Sequence, residues 1–400
     1  MKKTVCELFA GVGGFRLGLE KASKDWETVW FSQWEPGAKT QWAHDCYVSH
    51  WGDVDDNTGK DISTVEKNEI PDHNLLVGGF PCQDYSVARP LPGSKGLEGK
   101  KGVLWWQIRD TLEAKDTPFG LFENVDRLLK SPASQRGRDF GIMLACLADL
   151  GYSAEWRVVN AAEYGAAQRR RRVFIFAYKN DTAYGQSMKD AEAYNVFRFD
   201  GFFAKTFPIN NIDVRIKTTT IDYSDIPEVS ASFKFAFENA GYMHEGKVYT
   251  VPTVPITEKP TTLAEIIQSG VDEKYFLTGE KLEKWEYLKG SKKIERTSGT
   301  GHTYTFSEGA IAFPDPLDRP ARTMLTSEGT TNRSSHVVQD PENGKLRIIT
   351  PVEAERIQGF KDNWTDTMPE RMRYFCMGNA LVVPMVTRMG KTLNKIFEKE

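Results

Sequence analysis

Over roughly the first 180 residues, short apolar runs alternate with longer mixed segments, and this rhythm constrains the chain more than any other feature of it. Runs too short for a helix, separated by stretches long enough to hold one, are the mark of βαβ units. Candidate strands cover residues 3–9, 27–33, 74–78, 119–123, 152–160 and 172–178, with candidate helices at 15–24, 36–44, 104–114 and 140–150. From about 182 to 344 proline, threonine, glycine and lysine punctuate short segments, and no helical period persists. The expectation is an α/β domain in residues 1–181, a second, smaller and irregular domain in 182–344, and a return to the first in 345–400. Regularity resumes there, with Thr350 and Pro351 marking the start of a helix over 352–358 and a terminal helix over 380–397.

Composition narrows the class. With 400 residues, 40% of them apolar, there is enough hydrophobic material for a sizeable core. A net charge of only -3 means that any attraction to a polyanion must come from local clusters. No apolar run approaches the length of a membrane span, and the opening MKKTVCELFA reaches Glu7 too soon for a secretory leader, so a cytoplasmic protein is expected. The five cysteines (Cys6, Cys46, Cys82, Cys146, Cys376) are odd in number, scattered and never paired as CxxC, which predicts reduced thiols and no metal site.

Four segments carry chemistry. In LFAGVGGFRLGLE an apolar strand runs into Gly11, Gly13 and Gly14 and then a helix, a turn that lets a ligand approach backbone at a helix N-terminus. Arg16 occupies the third glycine position of a nicotinamide fingerprint, so that reading fails, and a turn that binds nothing remains open. Glu35 follows the next candidate strand, where a carboxylate can accept from both hydroxyls of a ribose; a surface glutamate is the alternative. In GGFPCQ the glycines and Pro81 break the strand at 74–78 and present Cys82 beyond its carboxyl end, the edge at which open α/β sheets bind ligands. To act as a nucleophile this thiol needs a nearby positive charge or a helix N-terminus. Glu123, in ENV, ends another strand, where partial shielding can raise a carboxyl pKa and let it donate a proton to a ring nitrogen. Gln168 to Arg172 is a basic run leading into the strand VFIFA, and alternation puts Arg170 and Arg172 on one face with their neighbours on the other.

The ordered set LFAGVGGFRLGLE, GGFPCQ, ENV, QRRRR, TPVEAERIQGF and MGNALVV resembles the cytosine-5 DNA methyltransferase family, over residues 3–178 and from 347 to the end. The resemblance implies a Rossmann-like sheet that binds S-adenosyl-L-methionine, with a variable target recognition domain inserted late in the chain. It implies that Cys82 is the nucleophile, that Glu123 contacts ring nitrogen 3 of a flipped cytosine, and that Arg170 and Arg172 clamp the base and its loop. Cofactor contacts fall on Phe9, Gly11, Gly13, Gly14, Phe15, Glu35, Asp61, Ile62, Gly79, Pro81, Leu104 and Asn379. Gln83 and Ser86 belong by the same resemblance to a loop that closes over DNA, continuing through Lys95, Lys100 and Lys101 with interspersed glycines. The sequence departs from the family in having Pro36 after Glu35, Glu7 for an aspartate, and Ala380 after Asn379.

Addition of a thiolate to carbon 6 makes carbon 5 of cytosine nucleophilic, and the base must first leave the duplex. Sequence choice is then expected in the middle third, where His302, Arg322, Thr323 and Arg333 offer donors to base edges. Lysines at 281, 284, 289, 292 and 293 offer contacts to phosphates, a solvated basic helix being the alternative. The partner expected is double-stranded DNA, with a monomeric microbial or phage enzyme and a cognate restriction endonuclease as its companion. Two alternatives stay open: a transfer-RNA cytosine methyltransferase, against which the long insert argues, and an inactive DNA-binding module, which has no use for a nucleophile.

Overall fold

The computed structural model describes residues 1–80, 104–299 and 301–400. The first half builds a sheet by alternation: β1 (Thr4–Leu8), α1 (Gly14–Ala22), β2 (Glu27–Ser32), α2 (Trp42–Trp51), β3 (Leu75–Gly79), α3 (Leu104–Lys115), β4 (Phe119–Val125), α4 (Arg138–Asp149), β5 (Tyr152–Asn160) and β6 (Arg171–Lys179). Four short helices follow, α5 (Ala183–Met188), α6 (Ala193–Asn195), α7 (Phe202–Thr206) and α8 (Ile226–Ser232), with β7 (Lys217–Thr220) before the last of them. Next come β8 (Ala240–His244) and β9 (Lys247–Val251). The nine strands form one sheet in the order β2-β1-β3-β4-β6-β5-β8-β9-β7. Pairing is parallel from β2 to β4 and antiparallel from β4 onward.

Side chains alternate across the strands and feed two cores. Leu76 and Leu8 face α3 and α4, with Trp105, Ile108, Leu112 and Phe140, whereas Val5, Leu75 and Val77 share a cluster with Phe15, Leu19, Leu393 and Phe397. The second cluster draws on α1 and on α12 (Val383–Phe397), which pack closely because glycines meet there. A Cβ added to Gly18 would come within 2.5 Å of Val386, and one on Gly390 within 2.7 Å of Ala22.

The middle third departs from expectation. Residues 217–251, assigned from the sequence to an irregular second domain, supply three strands to the central sheet, so the sheet does not end near residue 181. Beyond it lie α9 (Gly279–Lys289), the ribbon β10 (Lys292–Thr297) with β11 (Thr303–Glu308), and the pair β12 (Val337–Gln339) with β13 (Leu346–Ile348). Then come α10 (Pro351–Gln358) and α11 (Glu370–Asn379). The start of α10 is as its sequence predicts: Thr350 and Glu353 form a capping box, Pro351 opens the helix and Gly359 ends it at φ 85°. Arg347, fully buried, pairs with Asp340 at 2.8 Å and Glu353 at 2.8 Å and fixes this return. The helix expected at 36–44 instead begins at Trp42. Gly37 takes φ 78° and the Gln41 side chain bonds Glu35 N and O, holding 35–41 as a turn. Among the described residues no helix is long and apolar enough to cross a membrane.

Candidate active site

In an open α/β sheet the ligand crevice opens outside the carboxyl ends of the strands where chain order reverses. Here β1 leads to β2 on one side and β3 lies on the other, so the reversal falls between β1 and β3. The glycine turn after β1 and the GGF segment at the end of β3 flank that point.

After Leu8 the chain turns sharply. Phe9 and Gly11 both take φ 56° and Gly13 takes 85°, so the turn needs left-handed backbone at three places within five residues. Gln33, buried at the end of β2, accepts from Gly11 N at 2.7 Å and pins the turn to the neighbouring strand. Nothing lies within 4 Å of a Cβ built on Gly11, so open space faces the turn there. Gly13, itself without a side chain, caps α1, and the buried Glu7 carboxyl lies against the backbone of Phe15 and Arg16 in the helix's first turn. Glu35 is half-buried, its carboxyl is pushed above the ordinary value by that burial, and no described side chain pairs with it. An unpaired, partly desolvated acceptor after β2, with an open glycine turn after β1, fits a nucleoside-bearing ligand.

Other expected cofactor residues are placed less directly. Phe15 and Ile62 have their side chains in the core, which leaves backbone for any ligand contact. Asp61 caps a short turn, accepting from Ser63 N at 3.0 Å. Gly79 and Leu104 are half-buried, and Asn379 is exposed at the end of α11.

The acid site forms where β3, β4 and β6 end. Gly79 stands beside Glu123 in the ladder, and a Cβ there would lie 3.2 Å from Glu123 Oε2, so the glycine makes room for the carboxylate. Arg172 Nε lies 2.8 Å from Glu123 Oε1, both side chains being mostly shielded. The acid and one of the two arginines that the sequence reading placed together thus form an ion pair. Asn124, the next residue, is buried and donates to Phe80 O at 2.8 Å, fixing the chain two residues before Cys82. Cys82, Pro81, Gln83, Ser86, Lys95, Lys100 and Lys101 lie outside the described residues. The other four cysteines are all buried, and burial pushes their thiols up, to about 12 for Cys46 and about 11 for Cys146.

The basic run alternates as its periodicity predicts: Arg169 and Arg171 are exposed, Arg170 buried and Arg172 half-buried. Among the described residues the ion pair to the acid is made by Arg172, and the Arg170 guanidinium bonds elsewhere. It donates to Met324 O at 3.1 Å and Gly378 O at 2.9 Å, and burial, helped by the charge of Arg172, lowers its pKa to about 9. Through these bonds it joins the start of the strand to the 324 loop and to α11. Gln168 and Gln358, unassigned from the sequence, do the same. Gln168 accepts from Met324 N at 2.9 Å and bonds Gln358, which donates to Met377 O and Ala380 O. Their signal was a glutamine flanked by apolar residues, as in RIQGF.

Two residues expected to contact DNA, Arg322 and Arg333, are half-buried and bonded within the protein. Arg322 forks onto Asp315 at 2.6 and 3.1 Å and also holds Ser334 O and Ser335 O. Arg333 donates to Leu288 O, Gly290 O and Gly309 O. Lys289 is buried, donates to Ser335 O and is lowered to about 8 by burial. Thr323 donates to Arg169 O at 2.6 Å, while His302 is exposed on the β10–β11 turn.

The C-5 cytosine-specific DNA methylase family model matches residues 3–395. The chain belongs to that family. It is similar to the Type II methyltransferase M.Sau3AI of Staphylococcus aureus, 51% identical over 400 residues, covering 99% of this chain and 96% of that one. It is also similar to M1.ScrFI of Lactococcus lactis subsp. cremoris, 27% identical over all of this chain and 79% of that one. The fold is like that of S. pombe Dnmt2, with TM-score 0.58 and 16% identity over 99% and 98% of the two chains. This C-5 cytosine DNA methyltransferase uses S-adenosyl-L-methionine as methyl donor. The crevice at the β1–β3 reversal fits the donor, with its open glycine turn and unpaired Glu35.

Proposed function

We propose that Cys82 adds covalently to carbon 6 of a cytosine swung out of duplex DNA, while Glu123 and Arg172 hold the base. The observation that carries this reading is the Glu123–Arg172 pair at 2.8 Å, in register with Gly79 only three residues before Cys82. Four buried thiols with raised pKa values leave Cys82 as the candidate nucleophile among five. Charge built up on the ring by thiolate addition moves toward nitrogen 3 and the exocyclic groups, where Glu123 and the Arg172 guanidinium provide preorganised partners. Phe9, Gly11, Gly13, Gly14, Glu35 and Asn379 would hold S-adenosylmethionine, with Phe15 and Ile62 contributing backbone. When bound, that donor supplies the methyl group. Extrusion costs a few kcal/mol, offset by pocket contacts.

Target choice is assigned to residues 252–344, outside the central sheet, with the enzyme acting as a cytoplasmic monomer alongside a cognate restriction endonuclease. Cys82→Ser is the test. The variant should bind target duplex as wild type does in filter binding and transfer no methyl groups; unchanged transfer would refute the assignment of the nucleophile.

A further inference from the structure

We infer that the β10–β11 ribbon enters the major groove and reads base edges with its outward face. This rests on the assignment of target choice to residues 252–344. The two strands pair in antiparallel register from Lys292 opposite Glu308 to Thr297 opposite Thr303, and among the described residues they join no other sheet. An isolated two-stranded hairpin is marginal in water, so its persistence needs an anchor at the base and a reason to project.

The anchor is Arg333. Its guanidinium bonds Leu288 O at 3.0 Å and Gly290 O at 3.2 Å on one side and Gly309 O on the other, and pairs with Glu308 at 3.4 Å. Both ends of the ribbon are therefore gripped by one side chain. That side chain ends a segment beginning at Met324, whose carbonyl Arg170 holds two residues from Arg172. The ribbon is thus tied to the catalytic corner by a short stretch bonded within itself through Thr330 and Asn332 to Ser327 O, and Arg322 clasps its flanks by holding Ser334 O and Ser335 O.

The faces of the ribbon differ. On one, Ile294 pairs with Phe306, Arg296 lies 3.9 Å over the Phe306 ring, and Lys292 lies 4.4 Å over Tyr287. The other carries Lys293, Glu295, Thr297, Thr303, Thr305 and Ser307, all exposed and all polar. Such a panel has no core to pack against, yet it offers the donors, acceptors and methyl groups that base edges recognise. A major groove about 12 Å wide admits a two-stranded ribbon. Alternate side chains on one face stand roughly 6.8 Å apart, close to two base-pair steps of about 3.4 Å.

The experiment methylates a random-sequence duplex library and reads it by bisulfite sequencing, comparing wild type with Lys293→Ala, Glu295→Gln and Thr305→Val. At least one panel variant should lose roughly 10- to 100-fold in kcat/KM on the wild-type target and relax its preference at a single base position, with S-adenosylmethionine affinity and thermal melting unchanged. Arg333→Met, which frees the ribbon at its base, should weaken discrimination at several positions together. If the three panel variants keep the wild-type preference and stay within about twofold of its rate, while wild type is active, the ribbon is not the reader. A wild type that methylates no cytosine in the library would overturn the activity and this inference together.

Discussion

Arg172 lies in β6 and Arg170 just before it, two residues apart, and the structure gives them different partners. Arg170 satisfies two buried carbonyls, so removing its guanidinium strands both. Arg170→Met should cost about 2–6 kcal/mol in urea denaturation, from two unsatisfied acceptors at about 1–3 each. Arg172 meets Glu123 at the site's edge, where neither side chain is sealed from solvent. Arg172→Met should cost less stability than Arg170→Met and lower kcat by roughly 100- to 1,000-fold, as loss of a preorganised donor does. Equal losses of stability in the two variants would contradict the division. The sequence made the arginines and their alternation legible, because period 2 follows from strand geometry. It could not distinguish a guanidinium facing a substrate from one facing the carbonyls of residues 324 and 378, since those partners are over 150 positions away.

At the scale of elements, the seam between α1 and α12 depends on side chains that are absent. Alanine normally stabilises a helix interior relative to glycine by about 0.5–1 kcal/mol. At Gly18 the new Cβ would meet the branched Val386 at 2.5 Å, and at Gly390 it would meet Ala22 at 2.7 Å, so overpacking wins. Gly18→Ala and Gly390→Ala should each destabilise by about 1–3 kcal/mol, read as a lower urea midpoint; a raised midpoint would show that the helices can part freely. The parallel half of the sheet was readable because each buried strand forms an apolar run bounded by glycine or proline. The strands β8 and β9 were not recognised among polar neighbours, although Glu245 and Gly246, with φ 47° and 75°, make a two-residue hairpin turn whose glycine was visible. The capped start of α10 was legible for the opposite reason: its whole signal lies within four residues.

For the molecule as a whole, stability against pH is set in part by two buried groups that oppose one another. Glu7, wholly buried beneath the glycine turn, accepts from Tyr47 Oη at 3.1 Å, and burial raises it from 4.5 to about 7. Between those values the folded state binds more protons than the unfolded chain, so stability falls as pH rises and settles above about 7. His73 is buried against Thr117 and lowered from 6.5 to about 4 by desolvation. There the unfolded chain binds more protons, so stability is lost as pH falls from 6.5 toward 4. Across the shared range, 4.5 to 6.5, the two slopes cancel in sign, and these groups together leave the wild type nearly level. Glu7→Gln keeps the shape and an acceptor for Tyr47 but removes the titration. Its stability should climb with pH from about 4 to 6.5 and exceed that of wild type above pH 7, by about 3 kcal/mol at most, since a tenfold change in proton affinity on folding corresponds to about 1.4 kcal/mol. Urea unfolding at pH 5 and pH 8 measures the difference, and a Gln variant that gained nothing at pH 8 would mean that water or a rearranged partner relieves the Glu7 carboxylate in the native protein.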